Sequence, residues 1–214
     1  MIWNLPNKLT LSRLALAFVF FVLLGLYDQA AETGPWLLLA AMVLYVVSGL
    51  TDVADGYVAR KYNLVTPFGR MVDPFVDKVL VVGAFTMLTG ANFAAPDASF
   101  NGPMPGWVTG GMLTGVQAWM VVVILSREFA VTAIRGYSES LGLAFPAMPA
   151  GKLKMFAQSV AICTVLIQVA FLPLRPWAIW TRTITVWLAV AMTVISAASY
   201  VKQTVKLMRD EPKD

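Results

Sequence analysis

The sequence predicts an all-α polytopic membrane protein, a single domain over residues 1–214 with six transmembrane helices and its active site at the cytoplasmic side. Three observations predict it. Of 214 residues, 58% are hydrophobic and only 13% charged, with a mean hydropathy of +0.71; a soluble domain is nearer half apolar and a quarter charged. The apolar residues gather into six stretches, each close to the ~20 residues that a helix needs to cross ~30 Å of hydrocarbon. Fourteen of the sixteen Lys and Arg residues fall at the chain ends and the even-numbered turns.

The stretches run Leu9–Tyr27, Trp36–Ala59, Phe68–Thr89, Met112–Arg135, Lys154–Leu172 and Ile179–Val201. Backbone groups in lipid must be satisfied within the segment, which makes helices the economical solution. The first stretch carries no acidic residue and no small-residue cleavage pattern follows it, so it is expected to be a retained span, introduced by Pro6, Lys8 and Arg13. Between the second and third, Lys61–Thr66 reads as a turn, with Thr66 as N-cap and Pro67 at N1. Gly90–Gly111 holds Pro96, Pro103 and Pro105 with several glycines and reads as an irregular outer loop. Only Arg175 and Arg182 fall on the side opposite the other basic residues, so both termini are expected to be cytoplasmic. A multi-pass protein of the cytoplasmic (inner) membrane follows, with Trp36, Trp107, Trp177 and Trp180 near the outer interface.

Composition also excludes chemistry. There is no histidine, which removes His-based triads and HExxH zinc sites, and the single Cys163 cannot form an internal disulfide. A net charge of +4 could suit nucleic acid. The basic residues lie between apolar runs rather than in a stripe, so membrane headgroups are the expected partner and nucleic acid is not.

Four carboxylates lie where lipid disfavours them. Asp52 and Asp55 are spaced i, i+3, and Asp73 and Asp77 i, i+4, so each pair shares one helix face. Each aspartate at mid-span costs at least ~2.5–3.5 kcal/mol and requires water, a partner or a metal. Counted from the turn, Asp55 and Asp73 lie ~8 and ~9 Å in and Asp52 and Asp77 ~12 and ~15 Å, which brings all four to nearly one depth. Gly56 and Gly69 permit close helix approach, and Pro74 removes a helix hydrogen bond beside them. Like charges at one depth cannot all stay ionised without cations, and an all-oxygen set suits Mg²⁺ or Mn²⁺, two ions for four carboxylates. The competing reading is a set of salt bridges to Arg60, Lys61, Arg70 and Lys78.

Written as a pattern, the stretch is D-x2-D-G-x2-A-R-x8-G-x3-D-x3-D, from Asp52 through Asp55, Gly56, Ala59, Arg60, Gly69 and Asp73 to Asp77. It resembles the signature of the CDP-alcohol phosphotransferases at every fixed position. The resemblance implies transfer of a phosphatidyl or similar group from a CDP-linked donor to an alcohol, with release of CMP. It implies that Asp52, Asp55 and Asp73 are metal ligands and that Asp77 is both ligand and catalytic base. It assigns Gly56, Arg60 and Thr66 to the cytidine nucleotide, and a homodimer to the assembly. The leading Asn7, Thr10 and Arg13, spaced i, i+3, i+6, also look like family sequence and form one polar face that could line the CDP site; a helix start with an interfacial anchor is the alternative.

The acceptor is read elsewhere. Span four ends with Arg127, Glu128 and Arg135, and span five is preceded by Gly151-Lys152-Leu153 and opens at Lys154-Met155. Both stretches resemble the phosphatidylglycerophosphate synthase branch of the family, whose usual Thr is replaced here by Met155. Glu128 and Arg135, at i, i+7, share a face, and Glu128 is expected to orient Arg135. Arg127, Arg135 and Lys152 are expected to hold the phosphate of glycerol 3-phosphate, whereas Lys154 is explained by the positive-inside rule alone. The expected reaction, within membrane lipid, transfers the phosphatidyl group of CDP-diacylglycerol to glycerol 3-phosphate and releases CMP, in phosphatidylglycerol biosynthesis. Alternatives are another acceptor (inositol phosphate, serine or phosphatidylglycerol) or a divalent-cation transporter.

Overall fold

Among the described residues, apolar runs ended by proline, glycine and charged turns become six long helices, with an elaborate connector between the third and the fourth of them. The computed structural model describes residues 5–61, 67–97, 102, 104–140 and 148–209, and the side chains of 11–52, 72, 75–97, 102, 104–138, 140 and 148–204. The helices are α1 (Leu5–Gly25), α2 (Gly34–Lys61), α3 (Pro67–Met87), the single turn α4 (Gly106–Thr109), α5 (Ala118–Ser140), α6 (Pro149–Phe171) and α7 (Pro176–Arg209). Among the described residues there is no strand, only one isolated bridge, Ala94 to Met112. Proline opens α3, α6 and α7, where its missing N–H is no loss and its fixed φ suits the first helical position.

Three of these helices are long and apolar enough to cross a membrane: Gly34–Asp52, Pro149–Phe171 and Pro176–Thr204. In α1 the described apolar stretch, Leu11–Gly25, is shorter. Asp73, Asp77 and Lys78 interrupt α3, and Arg127, Glu128 and Arg135 interrupt α5. The surface of the bundle is apolar, with Phe18, Val22, Leu50, Phe129, Ile184 and Val194 exposed. Its interior instead holds Arg13, Ser48, Arg127, Glu128, Lys154, Gln158, Arg182, Thr193 and Ser196. Polar side chains therefore tie helix to helix. Tyr45 of α2 meets Ser159 of α6 at 3.1 Å, and Gln158 of α6 donates to Thr193 of α7 at 3.0 Å. Such bonds carry more of helix association in lipid than apolar burial does, because lipid tails are as apolar as leucine.

Several expected boundaries move. The fourth span, read as starting at Met112, starts at Ala118 instead, because Gly110, Gly111 and Gly115 adopt φ of 63°, 71° and 66° and turn the chain. The intervening stretch folds back onto α3: Thr114 Oγ1 donates to the Leu88 carbonyl at 2.8 Å and Leu113 N–H to the Phe93 carbonyl at 2.8 Å. Arg182, fully buried in α7, donates to the Leu113 carbonyl and to Gln168 Oε1, which pins this connector to the bundle. The fifth span starts five residues earlier than Lys154, at Pro149, and so takes Gly151 and Lys152 into its first turn. The sixth extends from Pro176 to Arg209, beyond Ile179–Val201 on both sides. The expected turn Lys61–Thr66, apart from Lys61, lies outside the described residues.

α1 packs on α2 and α3, α2 on α6, α6 on α7, and α5 on α7 and α3. Close approach of α1 and α3 depends on Gly83, where an added Cβ would collide with the Phe21 ring. Gly83→Leu should lower stability by about 1–3 kcal/mol through overpacking, read as a fall in the thermal midpoint of the purified protein in detergent. An unchanged midpoint would show that α1 and α3 are not held this closely.

Candidate active site

Two charge clusters lie at the end of the bundle away from the Gly90–Gly111 connector. The first joins α1, α2 and α3. Arg13, with 1% of its side chain exposed, places Nη1 2.5 Å from Asp52 Oδ1 and donates Nη2 to Asp77 Oδ1. The aspartates are 35% and 31% exposed, so both can be reached from outside the protein while the guanidinium cannot. Carboxylates from two neighbouring helices thus converge on one buried cation, consistent with the shared depth expected from their spacing. Asp55, Gly56, Arg60 and Asp73 lie in described helix without described side chains, as do Asn7 and Thr10, and Thr66 lies outside the described residues. Among the described residues no group of three acidic, His or Cys side chains gathers to hold a metal.

The donor set nonetheless fits a hard divalent cation. Asp52 and Asp77 offer oxygen from two helices to a shared positive centre, the ligand chemistry Mg²⁺ and Mn²⁺ require. Arg13 already supplies positive charge there, which makes it more than the interfacial anchor allowed for from sequence.

The second cluster joins α5, α6 and α7. Glu128, largely buried, accepts from Lys154 Nζ and from Arg127 Nη1, the latter at 3.2 Å. Arg127 also donates Nη2 to Ser196 Oγ at 2.6 Å and lies over the Tyr200 ring, 5.1 Å from its centroid. Arg135 donates to the Tyr200 hydroxyl over a long 3.4 Å. Lys78, next to Asp77 on α3, donates Nζ to Thr132 Oγ1 at 2.5 Å, and Thr132 bonds back to the Glu128 carbonyl at 2.7 Å. The two clusters are therefore neighbours through adjacent residues of one helix.

Two expectations change. Glu128 pairs with Arg127 and Lys154, not Arg135, because its carboxylate points across to α6 rather than along α5. Lys154 is 4% exposed and belongs to the cluster, whereas Lys152 is exposed. Two residues apart on a helix, they point to opposite sides, and the sequence has Lys at both. The structure thus brings Arg127 and Arg135 together and leaves Lys152 outside. Lys78, Thr132, Ser196 and Tyr200 are partners of this cluster that sequence reasoning missed, the last two because they are uncharged and belong to no motif.

Among these groups the carboxylate of Glu128 answers Arg127 and Lys154, while Arg135 bonds Tyr200 and Lys78 bonds Thr132, so four cations stand with one carboxylate and leave an excess of three positive charges. A phosphomonoester dianion is suited to that excess. Glu128 itself is needed to let two buried cations sit side by side. Glu128→Gln should therefore destabilise the protein by about 3 kcal/mol, the order of an uncompensated buried charge, seen as a lower thermal midpoint; a midpoint equal to that of the native protein would overturn this. Arg13→Leu should cost less, about 1–2 kcal/mol, because its partners are one-third exposed and water screens them. That loss, measured in chelator, should shrink on adding Mg²⁺ if divalent ions use the same carboxylates.

A family model described as CDP-alcohol phosphatidyltransferase matches residues 3–195. The chain is 35% identical over 204 residues to a CDP-diacylglycerol–glycerol-3-phosphate 3-phosphatidyltransferase of Bacillus subtilis (strain 168), covering 92% of this chain and 93% of that protein. It is 30% identical over 204 residues to a protein of the same name from Rickettsia bellii (strain RML369-C), covering 93% and 94%.

Proposed function

Since this chain belongs to the CDP-alcohol phosphatidyltransferase family, we propose that it transfers the phosphatidyl group of CDP-diacylglycerol to glycerol 3-phosphate, giving phosphatidylglycerophosphate and CMP. The observation that carries the reading is the adjacency of the two clusters: Asp77 belongs to the acidic one and Lys78, the next residue, reaches the cationic one. A donor pyrophosphate at the first and an acceptor phosphate at the second would bring the acceptor hydroxyl beside the scissile phosphorus. Relatives bearing this activity in their names support the same substrates.

The protein is embedded in the membrane. Its arrangement there is proposed as six spans, in the cytoplasmic membrane, with both termini and the charge clusters at the cytoplasmic side. The distribution of basic residues supports it, as do Trp36, Trp107, Trp177 and Trp180, all exposed towards the opposite end. CDP-diacylglycerol would then enter laterally from the inner leaflet. Pairing as a homodimer is part of the same proposal and rests on family resemblance.

Asp52, Asp55, Asp73 and Asp77 would hold Mg²⁺ or Mn²⁺, two ions in all, and the bound metal neutralises pyrophosphate charge and makes the phosphorus a better electrophile. The remaining work falls to the side chains. Gly56, Arg60 and Thr66, with Asn7 and Thr10 of α1, would bind the cytidine diphosphate moiety, while Arg13, expected from the sequence to line the same site, is enclosed behind Asp52 and Asp77 and acts through their carboxylates. Arg127 and Arg135 grip the acceptor phosphate, with Lys154 and Lys78 adding charge and Lys152 at the entrance. The Asp77 carboxylate takes the proton of the primary hydroxyl as that oxygen attacks the phosphorus bearing diacylglycerol. The oxygen–phosphorus bond forms as the bond to CMP breaks, and CMP leaves with the electron pair.

Asp77→Asn should abolish glycerol-3-phosphate-dependent CMP release while leaving a folded protein that still binds CDP-diacylglycerol; retained turnover would remove Asp77 as base. Arg135→Ala should raise the KM for glycerol 3-phosphate about tenfold, the factor for loss of one charge-assisted hydrogen bond. The same CMP assay run with inositol phosphate, serine and phosphatidylglycerol, and with excess chelator, tests the acceptor and the metal. Cation flux into liposomes without nucleotide would favour a transporter instead.

A further inference from the structure

Arg127 and Arg135 are eight residues apart on α5, about 12 Å of helix rise. Two guanidinium groups that far apart clamp one phosphate only if their side chains are bent towards each other and kept there. Long flexible side chains resist this, because holding them in one rotamer costs conformational entropy at the moment of binding. Something must hold them beforehand.

One side chain touches both. Tyr200, on α7 and only 3% exposed, lies beneath the Arg127 guanidinium with its ring and reaches Arg135 with its hydroxyl. Its third neighbour is Gly151 in the first turn of α6, where an added Cβ would stand 3.2 Å from the Tyr200 hydroxyl and 3.9 Å from Arg127 Nη2. That distance is tighter than ordinary van der Waals contact. The glycine thus leaves the clearance in which the phenol sits. Ser196, one helical turn before Tyr200 on the same face of α7, accepts from Nη2 of the same guanidinium.

Resting on the acceptor-phosphate reading above, we infer that Tyr200 is a positioning residue for the acceptor. It stacks Arg127 through its ring and draws Arg135 in through its hydroxyl, so that the two guanidinium groups face one phosphate before substrate arrives. Gly151 is the cleft that admits it. Tyr200 touches no reacting atom, so its contribution appears in acceptor affinity rather than in the chemical step.

The test uses the full chain in detergent with CDP-diacylglycerol, following CMP release as glycerol 3-phosphate is varied. Tyr200→Phe keeps the ring and removes the hydroxyl; it should raise the KM for glycerol 3-phosphate about fivefold and leave that for CDP-diacylglycerol within about twofold. Tyr200→Leu, which also removes the stacking face, should raise the acceptor KM further, about twentyfold. Gly151→Ala, approaching the same hydroxyl from α6, should shift the acceptor KM in the same direction by about threefold. Arg135→Ala in the Tyr200→Phe background should add less than it does alone, because both remove one interaction. An acceptor KM for Tyr200→Phe equal to that of the native protein, or effects of Tyr200→Phe and Arg135→Ala that simply multiply, would overturn the inference while leaving the acceptor assignment standing. A native protein whose CMP release ignores glycerol 3-phosphate, yet responds to another alcohol, would overturn the acceptor assignment and this inference with it.

Discussion

A charge inside an apolar bundle must be answered by an opposite charge or by water, and this requirement organises the molecule. Two ionic knots meet it. Arg13 draws Asp52 and Asp77 together and so sets α1 against α2 and α3. Glu128 draws Arg127 and Lys154 together and so sets α5 against α6, while Arg127 reaches α7 through Ser196. Each knot is made by residues distant in sequence, and neither would be satisfied by a helix alone in lipid. The apolar exterior offers little to choose between one helix arrangement and another, since lipid and leucine are nearly equivalent solvents. Register is therefore set from the inside, by a few polar contacts. The proposed site draws on the same contacts, so packing and the proposed function rest on one set of residues.

The knots differ in kind, and the difference follows from exposure. Glu128, Arg127 and Lys154 are all nearly buried, so removing one leaves charges that water cannot reach. Asp52 and Asp77 are one-third exposed, and a charged ligand can approach them without the bundle opening. The buried knot is held in one arrangement by its own partners; the half-open one leaves carboxylate oxygen exposed to a charged ligand. Arg13 stands at that boundary, with its guanidinium enclosed and its partners accessible.

Much of this was legible in one dimension. Six apolar runs anticipated six long helices, Pro67 correctly marked the start of α3, and the common depth expected of the four aspartates agrees, for Asp52 and Asp77, with their sharing Arg13. The errors have physical causes. Met112 was counted into a span because it continues an apolar run, but three left-handed glycines turn that run into a connector held by Thr114 and Arg182. Lys152 and Lys154 cannot be told apart by charge or motif; only the start of α6 at Pro149 decides which faces inward. Tyr200 and Ser196, both inside the expected span, were invisible because they are uncharged side chains in an apolar run, and only the packing of α7 against α5 gives them Arg127 and Arg135 as partners. Tertiary partners of a charged residue are the part of a site that spacing on its own helix does not encode.

The division of labour along the chain has a further consequence. The acidic knot is built from α1 to α3 and the cationic one from α5 to α7, with Lys78 of α3 the link between them. Substitutions on α5, α6 or α7 alter the charge and shape presented to an acceptor without moving Asp52 or Asp77. Substitutions on the first three helices alter the acidic site without rearranging Glu128 and its partners. Additivity between well-separated positions makes this separation energetic as well as spatial, except where the halves touch, as α2 meets α6 through Tyr45 and Ser159 and α3 meets α5. Lys78 is the contact that links the two clusters: it neighbours Asp77 in sequence and bonds to Thr132, which bonds in turn to the Glu128 backbone. On the proposed function, a framework arranged in this way can keep one group-transfer chemistry while the alcohol it serves changes. That proposal requires each new acceptor to put its hydroxyl at the Asp77 end of the cationic cluster.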